Sequence, residues 1–506
     1  MHERARIADR RGHRTHRHKL RGRRARAVPD GALRRRQWRG AHVRYPAVAR
    51  RRGTASRGQR DARNYALRIK AALNSSMLDL FNARKPESIA CALDSRAAHP
   101  CAMATLSCSA FASTASSSGD NMRYHNRTPA LAAALALCAP GQSLAQDSGA
   151  TEEVKDSSGF HIGLDYAGDV IAVVDGGIET GTTYTGLGNI NLDFGGNDWS
   201  WHANIYVPHG DSPTAEHAGD FAVVSNIDMG GLDPRLQEFW FERRFGETSI
   251  RAGMLAADTE FWGSDNGALY VSSVFGAPSI VSANLPNPSI FPTATLGVRF
   301  DMKIGDDGVF RAAVLDGDAG DPEVDNRHGT DVELGDDGGA LILAEYHVDR
   351  TGDGSVPLSY RFSGYYHTAD FVDFSDLSVR KGQWGLLGVF DLPVSDKVGW
   401  FGRVGYSNRH RSVVPWSFET GVNIYGLFGT DGTLGLGVGW VQLNRDFDVL
   451  VPDISNEKII ELTFDYPVNE YFSIQPDIQY ILNTGGTDSG GETLVVGVRG
   501  KLSFTK

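Results

Sequence analysis

All four cysteines of this 506-residue chain, Cys91, Cys101, Cys108 and Cys138, lie before residue 146. Residues 146–506 can therefore hold no disulfide, thiolate metal site or cysteine nucleophile, which suits passage through an oxidising periplasm. Also lacking is any run of about eighteen apolar residues, so a helical membrane span is excluded. Catalytic motifs are missing as well. His161, His202, His367 and His410 stand among many serines, yet no motif pairs them with a nucleophile. Glu238 and Glu242 share a strand face, but so do many other carboxylates, so a glycosidase pair is a nonspecific reading. Gly435, Gly437 and Gly439 look like a phosphate loop, but their phase puts them on the inner face of a strand with Leu434, Leu436 and Val438 opposite. No helix comes after them, so dinucleotide binding is not expected.

Charge is distributed unevenly. Residues 1–121 carry 27 Lys+Arg against 8 Asp+Glu, residues 122–145 carry two Arg and no acid, and residues 146–506 carry 22 against 53. Met122 opens a segment with Arg123 and Arg127, the apolar run Ala130 to Ala139, and Ser143-Leu144-Ala145 before Gln146. That order is a secretory signal peptide with a small-x-small cleavage site. Residues 1–121 are therefore read as an Arg-rich extension, disordered or not translated, and not as a nucleic-acid-binding arm. Leu137 before Cys138 is too large for a lipidation site, which favours cleavage after Ala145. Residues 146–159 are expected to form a short periplasmic segment, and residues 160–506 the folded domain. Nothing in that segment reads as a plug, so no energy coupling is expected.

From about Phe160 to Phe504 the pattern is of short two-sided strands. Leu296, Val298, Phe300, Met302 and Ile304 alternate with Arg299, Asp301 and Lys303; Ile460, Leu462, Phe464 and Tyr466 with Glu461, Thr463 and Asp465. Ile474, Ile478, Tyr480 and Leu482 oppose Gln475, Asp477 and Gln479, a polar set suited to a wet interior. Tight turns are expected at Gly195-Gly196-Asn197, Phe245-Gly246-Glu247, Gly305 to Gly308, Arg350 to Gly354, Gly429 to Gly432 and Pro467 to Glu470. Between them lie the long stretches Pro208 to Arg235, Ala256 to Pro292 and Asp316 to Gly338. This predicts an all-β fold: a transmembrane antiparallel β-barrel of about 16 strands with short periplasmic turns and long external loops. Such a barrel is wide enough for an aqueous channel. Trp199, Trp201, Trp384, Trp400, Trp416 and Trp440, with Tyr360, Tyr366, Tyr406, Tyr425 and Tyr466, are read as interfacial girdles. Asp316, Asp318, Asp321, Glu323, Asp325, Asp331, Glu333, Asp336 and Asp337 crowd one external loop. Their spacing matches no defined ion loop, so a solvated surface is preferred over bridging to lipopolysaccharide through divalent ions.

Several segments resemble the carbohydrate-selective porins of the OprB family. They are Gly219-Asp220 with Val224 to Asp228, Leu236 to Glu242, Arg251 to Leu255 running to Glu260-Phe261, Ser272 to Gly276, and Ala294 to Arg299. The most specific is Ile460 to Phe464 together with Gln475 to Ile481 and Asn483-Thr484-Gly485-Gly486. The chain departs from the pattern at Thr484, where the family usually has proline, and ends Phe504-Thr505-Lys506, not on an aromatic residue. The resemblance implies an outer-membrane, monomeric, sixteen-stranded barrel that passes glucose and other small sugars down their gradient, with loops folded inward to narrow the pore. No cofactor, metal or nucleic acid is expected; outer-membrane lipid, lipopolysaccharide and the barrel-assembly machinery are the expected partners. A general diffusion porin and an outer-membrane barrel hydrolase are the alternatives.

A sugar-selective pore needs bidentate donors and acceptors and an aromatic surface. By strand phase Glu238, Trp240, Glu242 and Arg244 point inward, as do Arg299 and Asp301, and Arg251 joins them as a channel-lining candidate. The insertion Ala256 to Pro292 is the expected constriction, with Asp258, Glu260, Phe261, Trp262, Asp265 and Asn266. The channel-lining and sugar-contact candidates are thus Glu238, Trp240, Glu242, Arg244, Arg251, Asp258, Glu260, Trp262, Arg299 and Asp301; inner charges that only solvate the pore and pair across strands are the alternative.

Overall fold

The computed structural model describes residues 159–505 except 325, 333–337, 351–357 and 447–452. The extension, the signal peptide, the segment up to residue 158, most of the turn expected at Arg350 to Gly354, and Asp325, Glu333, Asp336 and Asp337 lie outside the described residues. Sixteen strands succeed one another: β1 (Gly159–Asp175), β2 (Gly181–Gly196), β3 (Trp199–Gly210), β4 (Arg235–Phe245), β5 (Thr248–Leu255), β6 (Thr295–Ile304), β7 (Gly308–Asp316) and β8 (Ala340–Arg350). Then come β9 (Leu358–Val372), β10 (Val379–Ser395), β11 (Val398–Ser407), β12 (Trp416–Tyr425), β13 (Thr433–Gln442), β14 (Asn456–Asn469), β15 (Phe472–Leu482) and β16 (Glu492–Thr505). Each pairs antiparallel with its sequence neighbours, and β1 pairs with β16, so the sheet closes and no edge is left open.

Period-two alternation decides which side of the wall each residue occupies. Val298, Phe362, Leu386, Val404 and Leu436 are each about half exposed on the outside, whereas Arg299, Arg361, Arg403, Glu419 and Glu461 are buried inside. A soluble sheet would hide the first set; a wall bathed in lipid displays it. Among the described residues no helix is long and apolar enough to cross a membrane, and the strands make the crossing.

Turns and loops segregate to opposite ends. Among the described residues the turns fall where expected but begin later in two places: β2 runs through Gly196, and β14 runs past Pro467 to Asn469. Proline is tolerated there because the β14–β15 register shifts between Pro467 and Asn469, so the ladder is already interrupted.

Aromatic rings gather near the strand ends. At the loop end the outward residues Tyr366, Trp384, Tyr406, Trp416 and Trp440 form a band, with Trp384 and Tyr406 5.9 Å apart and Trp416 and Trp440 5.2 Å apart. Tyr425 departs from the girdle. Its hydroxyl donates to Asn266 inside the barrel, because β12 ends there with an inward phase.

The largest buried apolar cluster lies within the barrel. Phe261, Trp262, Tyr270, Val274, Phe275, Ile280, Val281 and Leu285, all from the β5–β6 loop, pack with inner-wall residues such as Phe401, Val441 and Ile481. The hydrophobic effect that joins two sheets in a sandwich here fixes a loop to the inside of a tube.

Candidate functional site

The β5–β6 loop, residues 256–294, is held across the interior by side chains of distant strands. Glu238 of β4 accepts from the Ala256 amide at 2.8 Å, Glu345 of β8 from the Trp262 amide at 3.0 Å, and Asp391 of β10 from the Asn266 amide at 3.1 Å. Glu461 of β14 accepts from the amides of Val271 and Ser272 at 2.6 and 3.0 Å. Arg403 of β11 donates to the carbonyls of Val274 and Gly276 at 2.7 and 2.5 Å. The Tyr365 hydroxyl donates to the Ile280 carbonyl at 2.9 Å. A loop buried this deeply must have its backbone polar groups satisfied, and the inner wall supplies the partners.

Its chain reversal brings Glu260 against the wall formed by β4 to β7, where a ladder of charges assembles. Arg251 Nε donates to Glu242 Oε2 at 2.9 Å and Arg299 Nη2 to the same oxygen at 2.7 Å. Glu260 lies between Arg251 and Arg299, paired with both. Arg311 of β7 holds Asp301 with two parallel bonds of 2.9 Å and donates to the Glu260 carbonyl. The outermost member, Arg244, approaches Glu242 at 3.4 Å. Burial alone would raise the Glu260 carboxyl, but Arg251, Arg299 and Arg311 together outweigh it and hold the group well below the usual carboxylate range.

Trp240 lies beside this ladder. Arg251 sits 3.5 Å from its ring centroid, and His202 of β3 stacks on it at 5.1 Å and 23°. His202 is in turn fixed by Asp193 at 2.7 Å. On the neighbouring wall of β2 and β3, Asn204 donates to Asn189 and Asn191 at 2.5 and 2.6 Å.

Of the ten candidates, seven come together: Trp240, Glu242, Arg244, Arg251, Glu260, Arg299 and Asp301. Glu238 and Asp258 stand apart, each bound to loop backbone, Asp258 accepting from the Phe291 amide at 2.9 Å. Trp262 is buried in the apolar cluster, its backbone at φ 66°. Exposure grades along the ladder: the side chains of Arg244 and Arg251 are 31% and 18% exposed, those of Arg299 and Arg311 3% and 1%. Solvent therefore meets the ladder at its Arg244–Arg251 end. Arg311 and His202 are ladder neighbours absent from the sequence candidates. The signal for Arg311 is present in β7, where Phe310, Ala312 and Val314 alternate with Arg311, Ala313 and Leu315.

The acidic β7–β8 loop is in part structural. Asp318 accepts from Asn287 of the β5–β6 loop at 2.9 Å, and among the described residues no group of three or more ligating side chains could hold a metal ion.

The model of the carbohydrate-selective porin family OprB matches residues 192–504. The high-pH structure of Pseudomonas putida OprB has a TM-score of 0.62 at 18% identity, with 69% of this chain and 94% of that one covered. Its low-pH structure has a TM-score of 0.43 at 16% identity, covering 69% and 93%. The outer membrane channel DcaP of Acinetobacter baumannii has 0.43 at 13%, covering 69% and 99%. No curated protein matches. The family match spans more than half of the chain, and the closed sixteen-stranded barrel agrees with it: the chain belongs to the carbohydrate-selective porins of the OprB family, channels of the outer membrane.

Proposed function

We propose that the ladder at β4 to β7 is the filter through which glucose and other small sugars diffuse passively, and that its Arg244–Arg251 end with Trp240 makes the solute contacts. The observation that carries this is the fixed line of guanidiniums and carboxylates beside a half-buried indole, with its solvent-facing members at one end. A sugar presents adjacent hydroxyls that both donate and accept, so preset forks of both kinds exchange hydration for protein contacts with little reorganisation. The glutamates and arginines already satisfy one another, so they bind a neutral solute without holding it tightly, which a conducting pore requires. Glu238, Asp258 and Trp262 act one step back, by holding the loop that carries Glu260. No catalytic step is involved: as a porin of this family the protein is a channel and not an enzyme.

Each closed barrel contains its own ladder, so a monomer suffices for transport. The loop-end girdle suits contact with lipopolysaccharide, and export through the signal at 122–145 with later insertion by the barrel-assembly machinery completes the reading, the mature chain starting at Gln146. Liposome swelling tests it. Residues 146–506, refolded in detergent and reconstituted, should admit glucose faster than a disaccharide and faster than an amino acid of glucose's size. Equal rates would mean a general diffusion pore, and no entry through a folded barrel would overturn the channel assignment.

A further inference from the structure

Arg235 opens β4 at the loop end and points inward. It is 1% exposed, and its Nε, Nη1 and Nη2 have no hydrogen-bond partner among the described residues. Gln237, two residues on, is equally buried; its Nε2 reaches the Thr293 carbonyl at 3.4 Å and its Oε1 has no partner among the described residues. Asn204 pairs with Glu238 and Ile205 with Leu236, which leaves Gln237 in a bulge. A bulge re-aims side chains, and here it puts Arg235 and Gln237 on the same inner face. Tyr206 is the register partner of Arg235, and its ring lies 5.5 Å from that of Phe291.

The charges near this position are engaged elsewhere. Asp233 pairs with Arg327 at 3.0 Å, and Glu238 and Asp258 accept from loop amides. A guanidinium stays protonated at any relevant pH, and burying one with no counter-charge is strongly unfavourable. Such a group is relieved by an arriving anion, and its fork matches a carboxylate with two parallel bonds.

We propose that Arg235 is a capture point at the external mouth for the carboxylate of an acidic sugar, a uronate or aldonate. Gln237 Oε1 accepts one of the sugar's hydroxyls, and the half-buried rings of Tyr206 and Phe291 supply apolar surface alongside. In the ladder below, Arg244, Arg251, Arg299 and Arg311 are balanced by Glu242, Glu260 and Asp301 with Glu238 and Glu345 close by, so the preference for an anion rests on Arg235 itself. This inference rests on the porin reading and extends it from neutral to monoanionic solutes.

The test measures entry of glucuronate and of glucose into liposomes carrying wild type, Arg235→Gln or Arg235→Lys, each confirmed as a folded barrel by its heat-modifiable mobility. Arg235→Gln should lower the glucuronate-to-glucose entry ratio by about tenfold, the effect of losing one charge-assisted contact. Arg235→Lys, which keeps the charge and loses the fork, should fall between. Glucose entry should stay at the wild-type level in both. A ratio that is the same in all three proteins, or two sugars slowed equally, overturns the capture point and leaves the channel intact. A wild type that admits neither sugar overturns the porin reading itself.

Discussion

Glu260→Gln should raise single-channel conductance and abolish discrimination between glucose and a similar-sized amino acid, while the barrel itself stays folded. The carboxylate of Glu260 is the only acid of the β5–β6 loop inserted in the ladder, and it neutralises Arg251 and Arg299 together. An amide retains the shape but leaves Glu242 as the carboxylate bridging Arg251 and Arg299, so one positive charge of the pair is no longer balanced there. Removing one partner of a buried ion pair costs about 3–5 kcal/mol, because the remaining charge is left uncompensated. The sixteen-strand hydrogen-bond ladder does not pass through Glu260, so the cost falls on the loop's attachment. Loop detachment widens the pore, and conductance reads that directly. Wild-type conductance and discrimination after the substitution would sink the idea that Glu260 clamps the loop.

The same residue fixes the response of the clamp to acid. Its carboxyl is held below the ordinary value of 4.5. A depressed folded-state value means that the stabilisation is in place above the ordinary value and is lost only as pH falls through the depressed one. The difference in conductance between wild type and Glu260→Gln should therefore be level from neutral pH to about 4.5, where free carboxylates begin to protonate. A change in that difference within the window would show that Glu260 is not held ionised by its arginines, whereas a change common to both proteins belongs to the other carboxylates that hold the loop.

Alternation along β6, β14 and β15 made the barrel readable, because a lipid-facing wall repeats one local rule and needs no distant partner. Glu242, Arg299 and Asp301 were readable for the same reason: their inward phase is set by Phe241, Val298, Phe300 and Met302 being outward. Arg311 obeys the rule equally and needed only β7 to be traced as far. The path of the β5–β6 loop was not legible. It depends on Glu461, some 190 positions from Val271, and on Asp391, 125 from Asn266, and no local pattern encodes such pairings. Trp262 and Asp258 look like sugar contacts by residue type and position, whereas the loop's fold turns one into the apolar cluster and binds the other to its own backbone. Tyr425 looked like a girdle residue because it ends a strand; its phase puts it inside, against Asn266.

Gly435, Gly437 and Gly439 explain how a barrel of this size admits so large a loop, and they give the second large effect. A Cβ at Gly437 would stand 2.6 Å from Tyr270 Cε1 and 2.7 Å from Phe275 Cζ; one at Gly439 would stand 2.8 Å from Val274 Cγ2. Gly421 on β12 meets the same Tyr270. These glycines form a bare strip on the inner wall where the aromatic ridge of the loop rests, which is why the run resembles a phosphate loop without the helix that would complete one. Gly437→Val should suit the strand, since valine favours extended backbone. It should nonetheless expel the ridge, with an overpacking cost of about 1–3 kcal/mol. The expected result is a barrel of normal heat resistance whose conductance rises and whose preference for glucose over an amino acid of similar size disappears. Gly388→Val is the control: it faces outward, and its nearest neighbour for a Cβ is Phe390 Cε2 at 3.5 Å, an ordinary contact. If both variants conduct and discriminate like wild type, the loop is not seated on the glycine strip. If only Gly437→Val opens the pore, the constriction is set by the packing between ridge and strip as much as by the charges at Glu260.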